Sequence, residues 1–403
     1  MIKIRINIDN LITVLSLIPI CYYFLPIVSI MINTTVMFYI FLVCFGLIII
    51  GTKWNKKSNF LLNIIIIIIA AIFYLYRGYY KNGVVSSFYM IMYLVYPIFL
   101  GVFLRNKPKN MLVISSISIL CIILTATTTY LGLEHNPYLS RELAAISDSS
   151  SPTLMYSLQS NIGGFDTVYI STLLSPVLYY TIEKKQLPMI SSIFFKCLIF
   201  FLLLLFILQT QYTTALLLHV LIFMFSLIKK VNLKKQIIMF IMLMILFNTF
   251  STQLSNIFST LSNNISSNAI SERFVELSET IQSGEISNGD LGLRSKQYVI
   301  SIDTFMNHPI IGVGFGANKS NIGGHSTILD FLAQGGIVFF SIIIISFFYL
   351  IKNTTFKNND TITYKYAFLS YFFFIVLAFI NPVISGSFFS LLFLVFPFVK
   401  YSV

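Results

Sequence analysis

Apolar runs of about twenty residues recur along most of this chain, separated for the most part by only a few polar residues, and no other feature constrains the fold as tightly. A run of 17–25 predominantly apolar residues is long enough to cross the hydrocarbon of a bilayer as a helix. Such runs fall at about 11–32, 35–51, 60–76, 84–104, 111–130, 165–182, 189–208, 212–228, 236–252, 327–351, 366–383 and 385–400. The expectation is an all-α, polytopic integral membrane protein with about twelve transmembrane helices. Composition agrees: the 403 residues are 57% hydrophobic and only 10% charged, against roughly 25% charged in soluble domains.

The basic start MIKIRINIDN leads into a run too long for a signal-peptide core and without a small-residue cleavage site, so it reads as a retained signal anchor. A net charge of +12 could suggest nucleic acid, but Lys and Arg sit in short clusters between apolar runs, where they set membrane orientation instead. With the N-terminus inside, the inner loops collect clusters around Lys53, Arg105, Lys184, Lys229, Lys352, Lys365 and Lys400. The outer side receives Arg77, Lys81, Arg141, Arg273, Arg294, Lys296 and Lys319. Both termini are therefore expected in the cytoplasm. Lys196 alone lies within a span, where it could snorkel to the inner surface. Cys21, Cys44, Cys121 and Cys197 lie in apolar runs without C-x-x-C spacing and read as packing residues.

Two outer segments are too long to be connectors, one at about 131–164 and one at about 251–324. The division that follows is 1–251 with nine spans, 252–326 as a large extracytoplasmic loop, and 327–403 with the remaining three. Leu254, Ile257, Phe258, Leu261 and Ile265, then Phe274, Leu277 and Ile281, recur at helical spacing and predict short amphipathic helices on the outer face. No repeat of twenty to fifty residues and no inverted two-halves pattern is evident.

Polar chemistry concentrates between Arg294 and Gly336. Arg294 opens an amphipathic segment, with Val299, Ile302 and Phe305 or Met306 on one face, that stops at His308-Pro309 before Gly312, Gly314 and Gly316. Lys319-Ser320 follows this glycine run, but Asn318 stands where a Walker A loop needs glycine, so a nucleotide loop is rejected. His325, in GGHSTILDFLAQGG, can exchange a proton near neutral pH, or can simply cap the helix or bond the loop. Thr327-x-x-Asp330 matches a capping box, which gives Asp330 a structural reading beside any supporting role. Arg141, Arg273 and Arg294 suit an anionic head group because guanidinium grips phosphate with two parallel bonds, although Glu142, Glu272 and Glu276 offer surface pairing for the first two. His308 reads first as a loop-shaping residue; His135 and His219 have weaker claims. No His and carboxylate spacing reads as a metal site, and no cofactor is expected.

The succession of Arg294, HPIIGVGFG and GGHSTILDFLAQGG before a membrane helix resembles the O-antigen ligase and polymerase superfamily of bacterial surface-polysaccharide enzymes. With NIGGFDTVYISTLL from Asn161, it is most similar to the polymerases of capsule or O-antigen repeat units. The resemblance implies a metal-independent glycosyltransferase of the bacterial cytoplasmic membrane that uses undecaprenyl-diphosphate-linked oligosaccharides at the outer face. It further implies His325 as base or acceptor-orienting group, Arg294 as diphosphate contact with Arg141 and Arg273 beside it, and His308, Gly312, Gly314, Gly324 and Asp330 as the supporting loop. A flippase and a chain-length regulator of the same pathway would be its partners. Ser326 stands where ligases commonly carry Asn, which separates this chain from a ligase only modestly. A ligase and a flippase are the alternatives, the latter disfavoured because the acidic residues gather in the outer segments.

Overall fold

A computed structural model describes residues 8–51, 64–72, 83–145, 151–185, 188–228, 290–314, 322–356 and 360–402, with scattered positions between 256 and 279. These residues are helical, with no strand among them. In chain order the helices are α1 (Ile8–Phe24), α2 (Pro26–Met31), α3 (Thr34–Gly51), α4 (Gly83–Leu104), α5 (Pro108–Gly132), α6 (Leu139–Ala145) and α7 (Pro152–Gln159). Then come α8 (Phe165–Lys184), α9 (Met189–Thr210), α10 (Thr213–Leu227), α11 (Asp290–Asn307), α12 (Thr327–Ile351), α13 (Thr361–Ile380) and α14 (Gly386–Tyr401). Among the described residues five helices are long and apolar enough to cross a membrane: α3, α5, α9, α12 with its Lys352–Phe356 extension, and α13; α1, α10, α14 and the Phe88–Leu104 part of α4 are shorter apolar helices. The span expected at 236–252 lies outside the described residues, as do the ends of that at 60–76, of which 64–72 is helical, and the amphipathic helices expected at 254–281 apart from isolated positions.

The packing inverts that of a soluble domain. Large apolar side chains of α9, among them Ile190, Phe194, Phe201, Leu202 and Leu205, are exposed, as a lipid-facing helix requires. The centre is α8, which packs against α5, α9, α10, α13 and α14 and buries Ser171, Thr172 and Ser175 together with Tyr169, Tyr179 and Tyr180. Small hydroxyl residues let neighbouring backbones approach closely where lipid offers no hydrophobic driving force. Inside the bundle, Leu391 to Phe396 of α14 are almost completely enclosed.

Opposite ends of α8 carry opposite kinds of chemistry. At its C-terminal end Lys184 pairs with Asp360 at 2.7 Å and Lys196 with Glu183 at 2.6 Å, while Lys365 reaches Glu183 at 3.3 Å and donates to the Ser226 carbonyl at 2.8 Å. Tyr366 donates to the same Glu183 carboxylate. Lys196 was expected to snorkel; instead it is buried, because a carboxylate one short loop away neutralises it. Arg105 and Lys400 share this end, the Tyr401 hydroxyl donating to the Arg105 carbonyl and Lys400 to that of Thr354, just before the turn into α13. At the N-terminal end of α8, Ser385 donates to Asp166 at 2.7 Å. Among the described residues, Arg105, Lys184, Lys365 and Lys400, which charge counting groups together, thus gather at one end, roughly 30 Å of helix away from the other.

Two spans read as continuous from the sequence are broken. The run at 11–32 divides at Leu25, extended at φ −112° and ψ 104°, because Pro26 excludes the α conformation before it. The Phe24 carbonyl then accepts from Thr125 at 2.7 Å, and Ile27 N–H donates to Asn161 Oδ1 at 3.3 Å. The run at 327–351 breaks at Gly336, with φ 60° and ψ −171°. An unbroken helix would pair Ile337 N–H with Ala333 O and Val338 N–H with Gln334 O. Here the segment after α11 supplies all four partners: Ile337 N–H donates to Pro309 O at 2.8 Å, Val338 N–H to Ile310 O at 3.1 Å, and Ala333 O and Gln334 O accept from Val313 and Gly314 at 3.0 and 2.9 Å.

Gly312 and Gly336 make that contact possible. Their φ angles are 67° and 60°, and a Cβ on Gly336 would stand 2.3 Å from Ile310 O. Gly336→Ala is expected to cost about 1–3 kcal/mol through strain and lost loop docking. Gly46→Ala in α3, where a Cβ meets open space, should be neutral or gain up to about 1 kcal/mol. Apparent unfolding temperatures of the two variants in the same detergent test this; equal values would refute the interlock.

Candidate active site

The interlock at Gly336 holds α11 against the first half of α12, and the site lies between them at the Asp166 end of the bundle. Arg294, Gln297, Tyr298 and Ser301 fall on one face of α11 at i, i+3, i+4 and i+7. That polar face turns inward: Ser301 is buried and the other three half-buried, while Val299, Ile302 and Met306 on the far side are exposed. The Tyr298 hydroxyl donates to Ile380 O at 2.6 Å, which ties α11 to the end of α13.

Asp330, 3% exposed, is the hub. Its Oδ1 accepts from Ser301 Oγ at 2.7 Å and from Gly324 N–H at 3.2 Å, and Ser301 Oγ accepts in turn from Gly323 N–H at 2.9 Å. One carboxylate therefore fixes the glycine pair before His325 onto α11. The capping-box reading of Thr327 and Asp330 is corrected: Ser326 is the N-cap and accepts from Leu329 N–H at 3.2 Å. Thr327 is engaged elsewhere, its Oγ1 accepting from Val383 N–H at 2.7 Å.

These contacts leave His325 between two pinned neighbours. It does not cap α12, and its imidazole, half-buried, has no hydrogen-bond partner among the described residues. Burial lowers its pKa below the ordinary 6.5, the Arg294 charge pushes the same way, and the Asp330 carboxylate opposes both. A neutral imidazole near pH 7 has a lone pair with which to take a proton. Burial likewise raises the Tyr298 phenol, against the opposing charge of Arg294.

Arg294 and Arg141 come to the same end from distant parts of the chain. The Arg141 charge falls on Tyr212 and the Arg294 charge on Tyr169. The two tyrosine rings pack edge to face with centroids 5.8 Å apart, and the Tyr212 hydroxyl donates to Ser140 O at 3.0 Å. Both arginines are half-buried, and neither guanidinium has a hydrogen-bond or ion-pair partner among the described residues, so the surface pairing with Glu142 that the sequence also allowed for Arg141 does not form. Two such cations flanking an aromatic pair can hold an anion with several oxygens.

Arg273, Gly316 and Lys319 lie outside the described residues. His308 is exposed at the end of α11, its carbonyl accepting from Gly312 N–H at 3.0 Å, as a loop-shaping residue would be. Gly314 and Gly324 both adopt positive φ. His219 is sealed between α9 and α10, stacked on Phe200 with centroids 4.9 Å apart and bonded to its carbonyl at 3.1 Å. Sequence reasoning missed Ser301, Tyr169 and Tyr212, which carry no motif and reach the site only through packing. Among the described residues no group of three His, Cys, Asp or Glu could hold a metal ion.

Asp330→Ala should cost about 1–3 kcal/mol by leaving Ser301 and Gly324 donors unmatched. Because Ser301→Ala removes the same bond, the double variant should be less destabilised than the sum of the singles. Additive losses in apparent unfolding temperature would contradict the hub.

The chain matches no protein-family model, no curated protein and no solved structure.

Proposed function

We propose that this protein polymerises undecaprenyl-diphosphate-linked oligosaccharide repeat units into a surface polysaccharide, O-antigen or capsule, at the outer face of a bacterial cytoplasmic membrane. The observation that carries the reading is His325: a half-buried imidazole with its pKa held down, without a hydrogen-bond partner among the described residues, beside Arg294 and at the membrane end of a pinned glycine loop. Glycosyl transfer from a lipid diphosphate needs a base at the acceptor hydroxyl and positive charge on the departing diphosphate. His325 takes the hydroxyl proton; that oxygen bonds to the anomeric carbon as the bond to the diphosphate breaks; Arg294 and Arg141 neutralise the diphosphate released. Arg273 joins them in this reading. The lysine-rich end of the bundle then faces the cytoplasm.

The broken helix α12 gives a transporter reading a specific footing, since transporters place discontinuous helices at their substrate sites. Here, however, the freed groups of Ala333, Gln334, Ile337 and Val338 are all taken by the 309–314 segment, which leaves none of these four to a passing solute.

Purified protein given lipid-linked repeat units should yield a ladder of products. Loss of a polymerase leaves surface material bearing single repeats; loss of a ligase leaves long chains on the carrier lipid; loss of a flippase leaves repeat units inside. His325→Ala should lower polymerisation by about 10²–10⁴ at unchanged protein abundance, His308→Ala much less. Arg294→Lys should restore little, because the two-pronged grip is lost. The basic form of His325 is the active one, so the acid limb of the rate profile should fall below pH 6.5. Arg294→Gln should move that limb upward by removing a charge that disfavours imidazolium. Wild-type ladders from His325→Ala, or an unmoved limb, would count against the assignment.

A further inference from the structure

The bonds around the kink fix how far the segment after α11 reaches along α12. Ile337 and Val338 donate to Pro309 O and Ile310 O, an offset of 28 residues, and Ser301 bonds to Asp330 at an offset of 29. α11 therefore runs beside α12 in the same direction, from the Thr327 end toward the middle. By residue 323 the chain is back at that end, where Gly323 N–H donates to Ser301 Oγ and Gly324 N–H to Asp330. The chain goes in and comes out on one side.

Depth follows from the helix alongside. α12 is long and apolar enough to cross a membrane, and Lys352 caps its far end. Ile337 stands fifteen residues from Lys352, about 22 Å at 1.5 Å per residue. A hydrocarbon core is about 30 Å thick, which leaves the Pro309–Gly314 strip about 8 Å inside the nearer boundary. The same offset sets Asp303 level with Leu332, about 30 Å from Lys352 and so at the boundary itself. The sequence agrees: Asp303 and Lys319 bound fifteen residues, Thr304 to Asn318, that include no Asp, Glu, Lys or Arg.

The side chains at the tip suit hydrocarbon. Ile310 and Ile311 are each 65% exposed, beside Ile337 and Val338, which are 48% and 42% exposed on the spanning helix itself. Val299, Ile302 and Met306 continue this apolar surface along α11. His308, seven residues after Ser301, falls on the opposite, polar face. Irregular backbone survives at membrane depth only where protein or enclosed water meets its polar groups. Here the strip and the broken turn of α12 meet each other's.

We infer that α11 and the Pro309–Gly314 strip form a re-entrant element that dips into one leaflet of the bilayer, with Ile310 and Ile311 packed against phospholipid acyl chains. A stretch that the sequence assigns to an extracytoplasmic loop is thus a lipid-binding surface, and the bilayer itself holds the helix that carries Arg294. The inference requires α12 to span the membrane and is independent of the polymerase reading.

In the test, the chain's one tryptophan, Trp54, is replaced by Phe, and single tryptophans are placed at Ile300, Met306 or Ile311 of the full-length protein. The variants are reconstituted in vesicles of phosphatidylcholine with plain or brominated acyl chains. Acyl bromine quenches a tryptophan in hydrocarbon; aqueous iodide quenches one in water. Tryptophan at Ile311 should lose most of its emission to bromolipid. The ratio of bromolipid to iodide quenching should climb from Ile300 to Met306 to Ile311, and at Ile311 should match that at Ile345, a position of α12 that is 67% exposed. Quenching by iodide without quenching by bromolipid at Ile311 makes the strip a solvated loop and overturns the inference. Weak quenching by both also overturns it, because protein then covers the isoleucines. In a second arm, Ile311→Asp should lower the apparent unfolding temperature in vesicles well below that of Ile300→Asp, since a charge inside the bilayer is expensive. Equal losses at the two positions overturn the insertion.

Discussion

Every backbone N–H and C=O in the hydrocarbon layer must find a partner within the protein, and the way this chain meets that demand at its two helix breaks determines where its polar chemistry can sit. At Pro26 the partners are Thr125 and Asn161. Asn161 is itself held at φ 54° and anchored by Thr128, whose hydroxyl donates to its carbonyl at 2.7 Å. At Gly336 the partner is a whole strip of backbone, Pro309 to Gly314. A break closed by side chains mainly shapes the bundle; a break closed by a loop brings the loop, and whatever flanks it, to the membrane helix. That second closure is why Arg294 and His325, thirty-one residues apart in sequence, act on each other.

The axis α8 separates two electrostatic regimes. Its C-terminal end holds Glu183, Lys196 and Lys365 in a nearly closed network, with charges matched by neighbours and a carbonyl. Its N-terminal end presents Arg141 and Arg294 without protein counter-ions among the described residues. Burying a charge costs several kcal/mol unless it is paired. The paired end therefore contributes to assembly, and the unpaired end retains binding capacity that a phosphate-bearing ligand can use.

Much of this was legible in the sequence, because the membrane imposes simple rules. Apolar length gave helix positions close to those seen for α3, α5, α9, α10 and α13, and among the described residues Arg105, Lys184, Lys365 and Lys400, grouped by lysine clustering, share one end of the bundle. The concentration of polar residues from Arg294 to Gly336 likewise marked the segment whose described parts, 294–314 and 322–336, are bonded to each other. The break at Gly336 was hidden because a positive φ at one glycine depends on a docking strip more than twenty residues earlier. The Asp330 role was hidden for a related reason: local spacing offers a capping partner, while the partner in space, Ser301, belongs to another helix. Tyr169 and Tyr212 look like ordinary span-end aromatics until the fold sets them between two arginines.

The Glu183–Lys196 pair bears on how the chain enters the bilayer during synthesis. The two residues are separated by a turn of a few residues between α8 and α9, so closing that loop costs little entropy. Once α9 is made, its lysine meets a carboxylate on the preceding helix, so the charge of Lys196 is matched within the hairpin itself. Lys365 arrives much later, after the whole 252–326 segment has been made, and finds Glu183 and the Ser226 carbonyl waiting. The Glu183–Lys196 bond thus joins two neighbouring helices across a short turn, while the bond from Lys365 joins that pair to a helix made nearly two hundred residues later.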